Sequence, residues 1–354
     1  MDNLLEFFSF SDPNIRFVTF GAVLLTMSSA IVGSFTFLKK KALVGDAVAH
    51  SVLPGVALAF MLSGNKNPLV LIVGAFITGW VSLVVIDLIV NKSKLKEDTA
   101  IGLILSVFFG FGIMLLTRIQ QSGNAAQSGL DSFLFGKAAS LIGSDLLVFS
   151  VVAVLLLATV FIFYKELRLI SFDPSYGKSI GFPVNRLELL LTTLTVMAVV
   201  IGIQAVGVVL MAAMLITPPA AARFWTHSLR TMILLSALFG ALSGITGAYI
   251  SYVAPSMPTG PWIVMVISVI AILSFFIAPE RGIIANIMLQ RKNRQKILEE
   301  NILKTFFHLG EQNRSHELFY RESDLVSVRR SLYNNLKKGL KNLKRKSRQL
   351  IIQS

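Results

Sequence analysis

Apolar residues in this sequence fall into blocks of about 20, the length a helix needs to cross a hydrocarbon layer at 1.5 Å per residue. The blocks occupy residues 17–38, 43–62, 68–90, 99–117, 146–164, 187–222, 231–253 and 261–278. A large soluble core can be this greasy in places, but not in block after block. Composition agrees. Charged residues make up 15% of the chain, against about 25% in soluble globular domains. The expected fold class is all-α, a polytopic protein of the cell (inner) membrane with about 8–9 transmembrane helices.

The block at 187–222 sets the count. Residues 189–222 run for 34 positions without a charge, about 51 Å as one helix against a core of about 30 Å. Glycines at 202 and 207 and the pair Pro218–Pro219 offer breaks, because glycine and proline loosen or end helices. One full span followed by a second, broken crossing gives nine.

Charge tests that count independently. With the first span running inward, the inner loops 39–41, 92–98, 165–186 and 223–230 carry twelve Lys and Arg. The outer segments carry Arg16, Lys66, Arg118 and Lys137 only. This is a positive-inside bias, with the N-terminus outside and the C-terminus cytoplasmic. The outer segment 118–145, with Phe133 to Gly136 in its middle, either dips back toward the membrane or lies on its surface. The first 15 residues hold Asp2, Glu6 and Asp12 and no basic n-region, so no cleavable signal peptide is expected.

Residues 1–290 read as the transmembrane permease domain, with 17 Lys and Arg against 13 Asp and Glu. Residues 291–354 hold 16 against 6 and read as a basic helical cytoplasmic extension. Helices are expected at 295–309, 324–330 and 332–348, a pattern like the beginning of a winged-helix domain without its wing. Such a tail suits anionic lipid at the inner leaflet or, as the alternative, DNA; nucleic acid is not the expected partner.

Ionisable groups inside spans are costly and draw attention to function. Asp87, near Lys92, reads as a helix-end or ion-pair residue, and Glu188 as a first-turn anion favoured by the helix dipole. Asp46 and His50 lie four apart, on one helix face. Carboxylate and imidazole suit Mn, Zn or Fe(II), and the small neighbours Gly45, Ala47, Ala49, Ser51 and Gly55 admit close helix approach. The alternative reading has Asp46 capping the helix and His50 bonded to a neighbouring helix.

The chain contains no cysteine, which excludes disulfides and thiolate sites. There is no G-x-x-x-x-G-K-[ST] loop, no G-x-S-x-G elbow and no H-E-x-x-H pair, so the chain is not read as an enzyme. Any ATP-driven engine is a separate polypeptide. The loop 165–186 is the candidate for receiving it: Asp173 reads as an N-cap and Pro174 as the first helical residue. A short helix ending at Gly181-Phe182-Pro183 then presents Tyr176, Lys178 and Ile180. The other reading is an ordinary ordered connection.

Together these pieces resemble the permease subunits of ABC transporters for manganese, zinc and iron, over about residues 14–280. Four stretches carry the resemblance: Leu38 through Gly55, Glu97 through Gly102, Ser171 through Val184, and Gln204 through Val208 followed by Thr217 through Arg223. The resemblance implies that Asp46 and His50 line the ion pathway. It also implies that Asp173, Pro174, Tyr176, Gly177, Lys178, Gly181 and Pro183 belong to the segment that couples to the ATPase. The implied partners are cytoplasmic ABC ATPase subunits, an extracytoplasmic metal-binding protein and a second permease subunit, as homodimer or paired heterodimer. No tightly bound cofactor is expected; Mn, Zn or Fe is cargo. A permease for metal chelates or siderophores, a secondary metal transporter without an ATPase, and a membrane-anchored regulator acting through its tail remain alternatives.

Overall fold

The structure is a computed structural model that describes residues 2–41, 43–64, 67–121, 136, 143–254, 257–312, 341, 343 and 344. Among them are fourteen helices and no strand. In chain order they are α1 Asp2–Ser9, α2 Pro13–Leu38, α3 Val44–Ser51, α4 Leu53–Ser63, α5 Pro68–Lys92, α6 Glu97–Gln121 and α7 Gly143–Ile162. They continue as α8 Tyr164–Phe172, α9 Pro174–Ser179, α10 Val184–Val206, α11 Val208–Trp225, α12 Leu229–Val253, α13 Thr259–Ile277 and α14 Ile283–Gln312.

Several helices start where an acceptor side chain precedes a proline. Asp12 accepts from Asn14 N–H at 2.8 Å ahead of Pro13, and Asn67 accepts from Leu69 N–H at 3.1 Å ahead of Pro68. The side chain satisfies one of the orphan amides of the first turn, and proline needs no donor there.

Eight spans among the described residues are long and apolar enough to cross a membrane. The span Val44–Ser63, made of α3 and α4, is 78% buried and Val184–Val206 is 72% buried, whereas Asp145–Ile162 and Thr259–Ile277 are 28% and 22% buried. The first two are therefore central to the bundle and the last two peripheral. Helix α3 packs against α5, α6, α10 and α11, and α2 packs against α7, α10, α11 and α12.

The uncharged block divides into α10 and α11; α11 is not among those eight spans, and it runs through Pro218 and Pro219 without the break expected there. Gly207 breaks the block at φ +89° and ψ 166°, a conformation that a side chain strongly disfavours. A Cβ on Gly202 would collide with Met211, so the two helices fold back on each other at this break. Gly136, the one described residue of the central part of 118–145, abuts the backbone of Ala205 to Gly207. The rest of that stretch lies outside the described residues.

The chain divides into two compact units, Met1–Glu280 and Arg281–Ser354. Position 290 thus falls inside α14, which runs unbroken for 30 residues and takes in the expected helix at 295–309. The expected helices at 324–330 and 332–348 lie outside the described residues, apart from 341, 343 and 344.

Small residues set the helix spacing, as expected where helices associate without a hydrophobic driving force. Gly55 of α4 and Gly74 of α5 face each other so closely that a Cβ on either would overlap the other's carbonyl. Gly55→Ala should therefore destabilise the bundle by about 1–3 kcal/mol through overpacking, read as a lower unfolding temperature in detergent. Gly102→Ala, where nothing stands within 4 Å of the added Cβ, should cost nothing.

Candidate metal site and cytoplasmic mouth

Helix α3 is eight residues long, and Val44, Gly45, Ala47, Val48, Ala49 and Ser51 are all buried. Only Asp46 and His50 keep partly open side chains, at 43% and 23% exposure, with Asp46 Oδ1 3.4 Å from His50 Nε2. The small side chains of this helix explain how it gets there: a Cβ on Gly45 would sit 3.0 Å from Leu215 Cδ2 of α11.

The helix ends at Val52, still in the α region, and Pro54 follows in the first turn of α4. Proline has no N–H, so the carbonyl of His50, four residues back, loses its helical donor. The imidazole stands edge-on against Phe109 of α6, ring centroids 5.2 Å apart. Its buried Nδ1 has no hydrogen-bond partner among the described residues.

Leu43 occupies the N-cap position of α3 with no side-chain cap bond, and Asp46 stands in the first turn. Among the described residues no group of three or more His, Asp or Glu stands ready for a metal. The site is a pair. A carboxylate and an imidazole on one face can take a divalent cation between them, with several coordination positions left for other ligands.

Below α3 lies a charged mouth whose pairing differs from the sequence expectations. Asp87 does not pair with Lys92 but accepts from Lys41 Nζ at 3.0 Å. Lys41 also lies 3.8 Å from Glu97. Glu188 is not in the first turn of its helix, since α10 begins at Val184; it accepts from Lys39 Nζ at 2.7 Å. A cavity of about 30 Å³ sits among these groups, lined also by Val44 of α3, Thr36 and Thr195.

Sequence reasoning missed this network because its partners are 46 and 149 positions apart. The lysines were visible only as topology signals. Burial alone would depress the Lys41 ammonium, but Asp87, Glu97 and Glu188 outweigh it and hold the pKa above the ordinary 10.5. The stabilisation is thus complete below the ordinary lysine value and fades only as pH rises through the higher one. It is constant through neutral pH.

The loop 165–186 forms two short helices. Asp173 Oδ1 accepts from Tyr176 N–H at 2.8 Å, Pro174 opens α9, and the chain leaves it through Gly181 at φ +85°. Gly177 is buried toward Val184 and Leu169. Tyr176, Ile180 and Phe182 point outward, 55%, 47% and 39% exposed, an unusual density of apolar groups for a loop bathed in water.

These features define a polytopic membrane permease: a helical bundle with a polar pair on a central half-span, a charged inner mouth and no catalytic constellation among the described residues. The profile of the ABC 3 transport family matches residues 11–278. Relatives include the manganese transport system membrane protein MntC of Bacillus subtilis (strain 168), 45% identical over 301 residues, covering 85% of this chain and 69% of the relative. The zinc transport system membrane protein TroC of Treponema pallidum (strain Nichols) is 42% identical, covering 82% of this chain and 97% of the relative. The solved structure of PsaBC from Streptococcus pneumoniae in complex with Fab superposes with a TM-score of 0.69 at 34% identity, over 78% of this chain and 97% of that one. The chain belongs to the ABC 3 transport family. It is the membrane-embedded permease of an ABC transport system, and ATP is hydrolysed by a separate subunit.

The groups of the inner mouth are between a quarter and a half exposed, except Lys39, so water screens them. Lys41→Met should lower stability by about 1–2 kcal/mol, between the values for exposed and buried pairs. Pairing it with Asp87→Asn should recover part of the loss. Thermal unfolding in detergent reads both, and an unchanged midpoint for Lys41→Met would mean the network holds nothing together.

Proposed function

We propose that this chain forms the pathway of an ATP-driven importer for a divalent transition metal, with Asp46 and His50 as transient ligands on the route. The observation that carries this reading is the selective opening of α3, where every neighbour is buried and only the carboxylate and imidazole are accessible. The relatives named for manganese and zinc transport support the class of cargo; Fe(II) accepts the same ligands.

Two ligands make a weak site, and weakness suits conduction, because an ion held by a complete shell would not leave. A second permease copy, bringing its own Asp46 and His50, would raise the ligand count without any further residue from this chain. From Asp46 the route continues toward the mouth, where Lys41 precedes Asp46 by five positions. There the carboxylates Asp87, Glu97 and Glu188 are held in check by Lys39 and Lys41. The lysines keep the exit from becoming a second trap for the cation.

The cytoplasmic ATPase subunits would dock on α9. Asp173 and Pro174 fix the start of this helix, Gly177 lets it lie close to α10, and Gly181 and Pro183 redirect the chain into α10. Tyr176 and Lys178 would then meet the ATPase. An extracytoplasmic metal-binding protein would deliver the ion to the opposite side, and residues 291–354 would form a separate cytoplasmic extension.

His50→Ala should reduce accumulation of radioactive Mn or Zn to the level of cells lacking the permease, with membrane insertion and ATPase co-purification unchanged. Asp46→Asn, which keeps the shape and removes the charge, should do nearly the same. Normal uptake by His50→Ala would remove the site assignment and favour cargo carried inside a chelate. Asp173→Ala, which loses a cap worth about 1 kcal/mol, should weaken ATPase co-purification and uptake together and leave Asp46 and His50 untouched.

A further inference from the structure

Two cavities outside the ion route meet at the junction of α7, α8 and α12. The first, about 920 Å³, is lined by the cations Lys165, Arg168 and Arg230 together with Tyr164. The second, about 1030 Å³, climbs along α7 and shares Tyr164, Lys165 and Arg230 with the first. Its walls are otherwise apolar, among them Val154, Leu157, Phe161 and Leu234, with the carboxylate Glu166 beside Lys165 at the shared end. One groove therefore has a basic end and a greasy end.

The basic end is built by helical spacing. Lys165, Arg168, Leu169 and Phe172 fall at i, i+3, i+4 and i+7 of α8 and share one face, while Leu167 and Ile170 are buried on the other. Arg230 joins them from the first turn of α12. None of the three cations makes an ion pair with a described residue. The carboxylate in that cavity, Asp173, is engaged in capping α9, and His227 there pairs with Glu280 at 3.0 Å. The Tyr164 hydroxyl is buried and without a hydrogen-bond partner among the described residues.

The greasy end has the dimensions of a leaflet. From Val154 to Ile162 the groove follows nine residues of α7, a rise of about 12 Å, against about 15 Å for half of the hydrocarbon core. The positive-inside pattern puts Lys165, Arg168 and Arg230 on the cytoplasmic side. A soluble anion would satisfy only the basic end, and a cytoplasmic protein cannot follow the groove up α7 into hydrocarbon. An amphiphile with a negatively charged head fits both ends.

We propose that this groove is a binding site for an anionic phospholipid of the inner leaflet, of the phosphatidylglycerol or cardiolipin type. The phosphate sits among Lys165, Arg168 and Arg230, with the Tyr164 hydroxyl as a further donor, and an acyl chain lies along α7 against Leu157 and Leu234. The bound lipid fills the space beside α8, the helix that leads directly into α9. The inference rests on topology and groove chemistry, and is independent of the metal ligands.

The test is native mass spectrometry of the full-length chain in mild detergent, offered equal amounts of phosphatidylglycerol and phosphatidylcholine with identical acyl chains. The natural protein should retain phosphatidylglycerol preferentially. Each single change Lys165→Ser, Arg168→Ser or Arg230→Ser should cut the preference roughly fivefold, and the triple variant on the order of a hundredfold. Ala158→Trp, which obstructs the apolar part, should lower retention of both lipids without altering their ratio. Elution volume and helical circular dichroism establish that each variant is folded, and the single variants carry the test if the triple variant is not. Equal retention of the two lipids by the natural protein would overturn the proposal. So would an unchanged preference in all the folded cation variants. Glycerol phosphate competing as well as the whole lipid would show that the apolar groove plays no part, and displacement of the lipid by the ATPase subunit would assign the groove to a protein partner; either result overturns it too.

Discussion

Hydrocarbon offers no hydrogen-bond partners, so a chain that crosses it must pair its own backbone groups, and helices that do so can be interrupted only where protein surrounds the interruption. Both breaks in this bundle obey that constraint. One lies between α3 and α4 at Val52 and Pro54, the other between α10 and α11 at Gly207. They fall in Val44–Ser63 and directly after Val184–Val206, the two most buried spans. The peripheral spans Asp145–Ile162 and Thr259–Ile277 run unbroken.

The break beside His50 ties architecture to chemistry. Shortening α3 to eight residues and stripping it to glycine, alanine, valine and serine lets four neighbouring helices close around it. What stays partly open is then the pair of side chains with the highest desolvation cost, an arrangement that keeps a carboxylate reachable by water or a cation. The same proline that ends the half-helix leaves the His50 carbonyl without its usual donor. Polar side chains and a loosened backbone meet within one turn.

Charge is otherwise confined to the ends of the bundle. At the inner end Lys39 and Lys41 serve two physical purposes at once. They anchor the orientation of the chain in the membrane, and they bind α2 and the approach to α3 to the carboxylates of α5, α6 and α10. The five groups surround a space about the size of one water molecule. Movement of α10 relative to α2 or α5 would have to part these pairs. Residues 180–183, with Gly181 at φ +85°, join α9 to α10.

The sequence by itself determined the all-helical, membrane-crossing class, since uncharged runs of helical length admit no other use. It also determined the polarity of the loops, the break near Gly207, the Asp173–Pro174 helix start, and the shared face of Asp46 and His50, because each depends on residues only a few positions apart. Pairings across long separations were not legible. Lys41 with Asp87, Lys39 with Glu188, His50 with Phe109 and the groove joining α7, α8 and α12 depend on which helices become neighbours. Helix packing in lipid is settled by small-residue contacts such as Gly55 on Gly74, which leave no periodic signature that a single chain reveals. Asp87 near Lys92 looked like a local pair for that reason. Only the tertiary structure could send it to Lys41, because attraction between charges follows distance in space and is indifferent to distance along the chain.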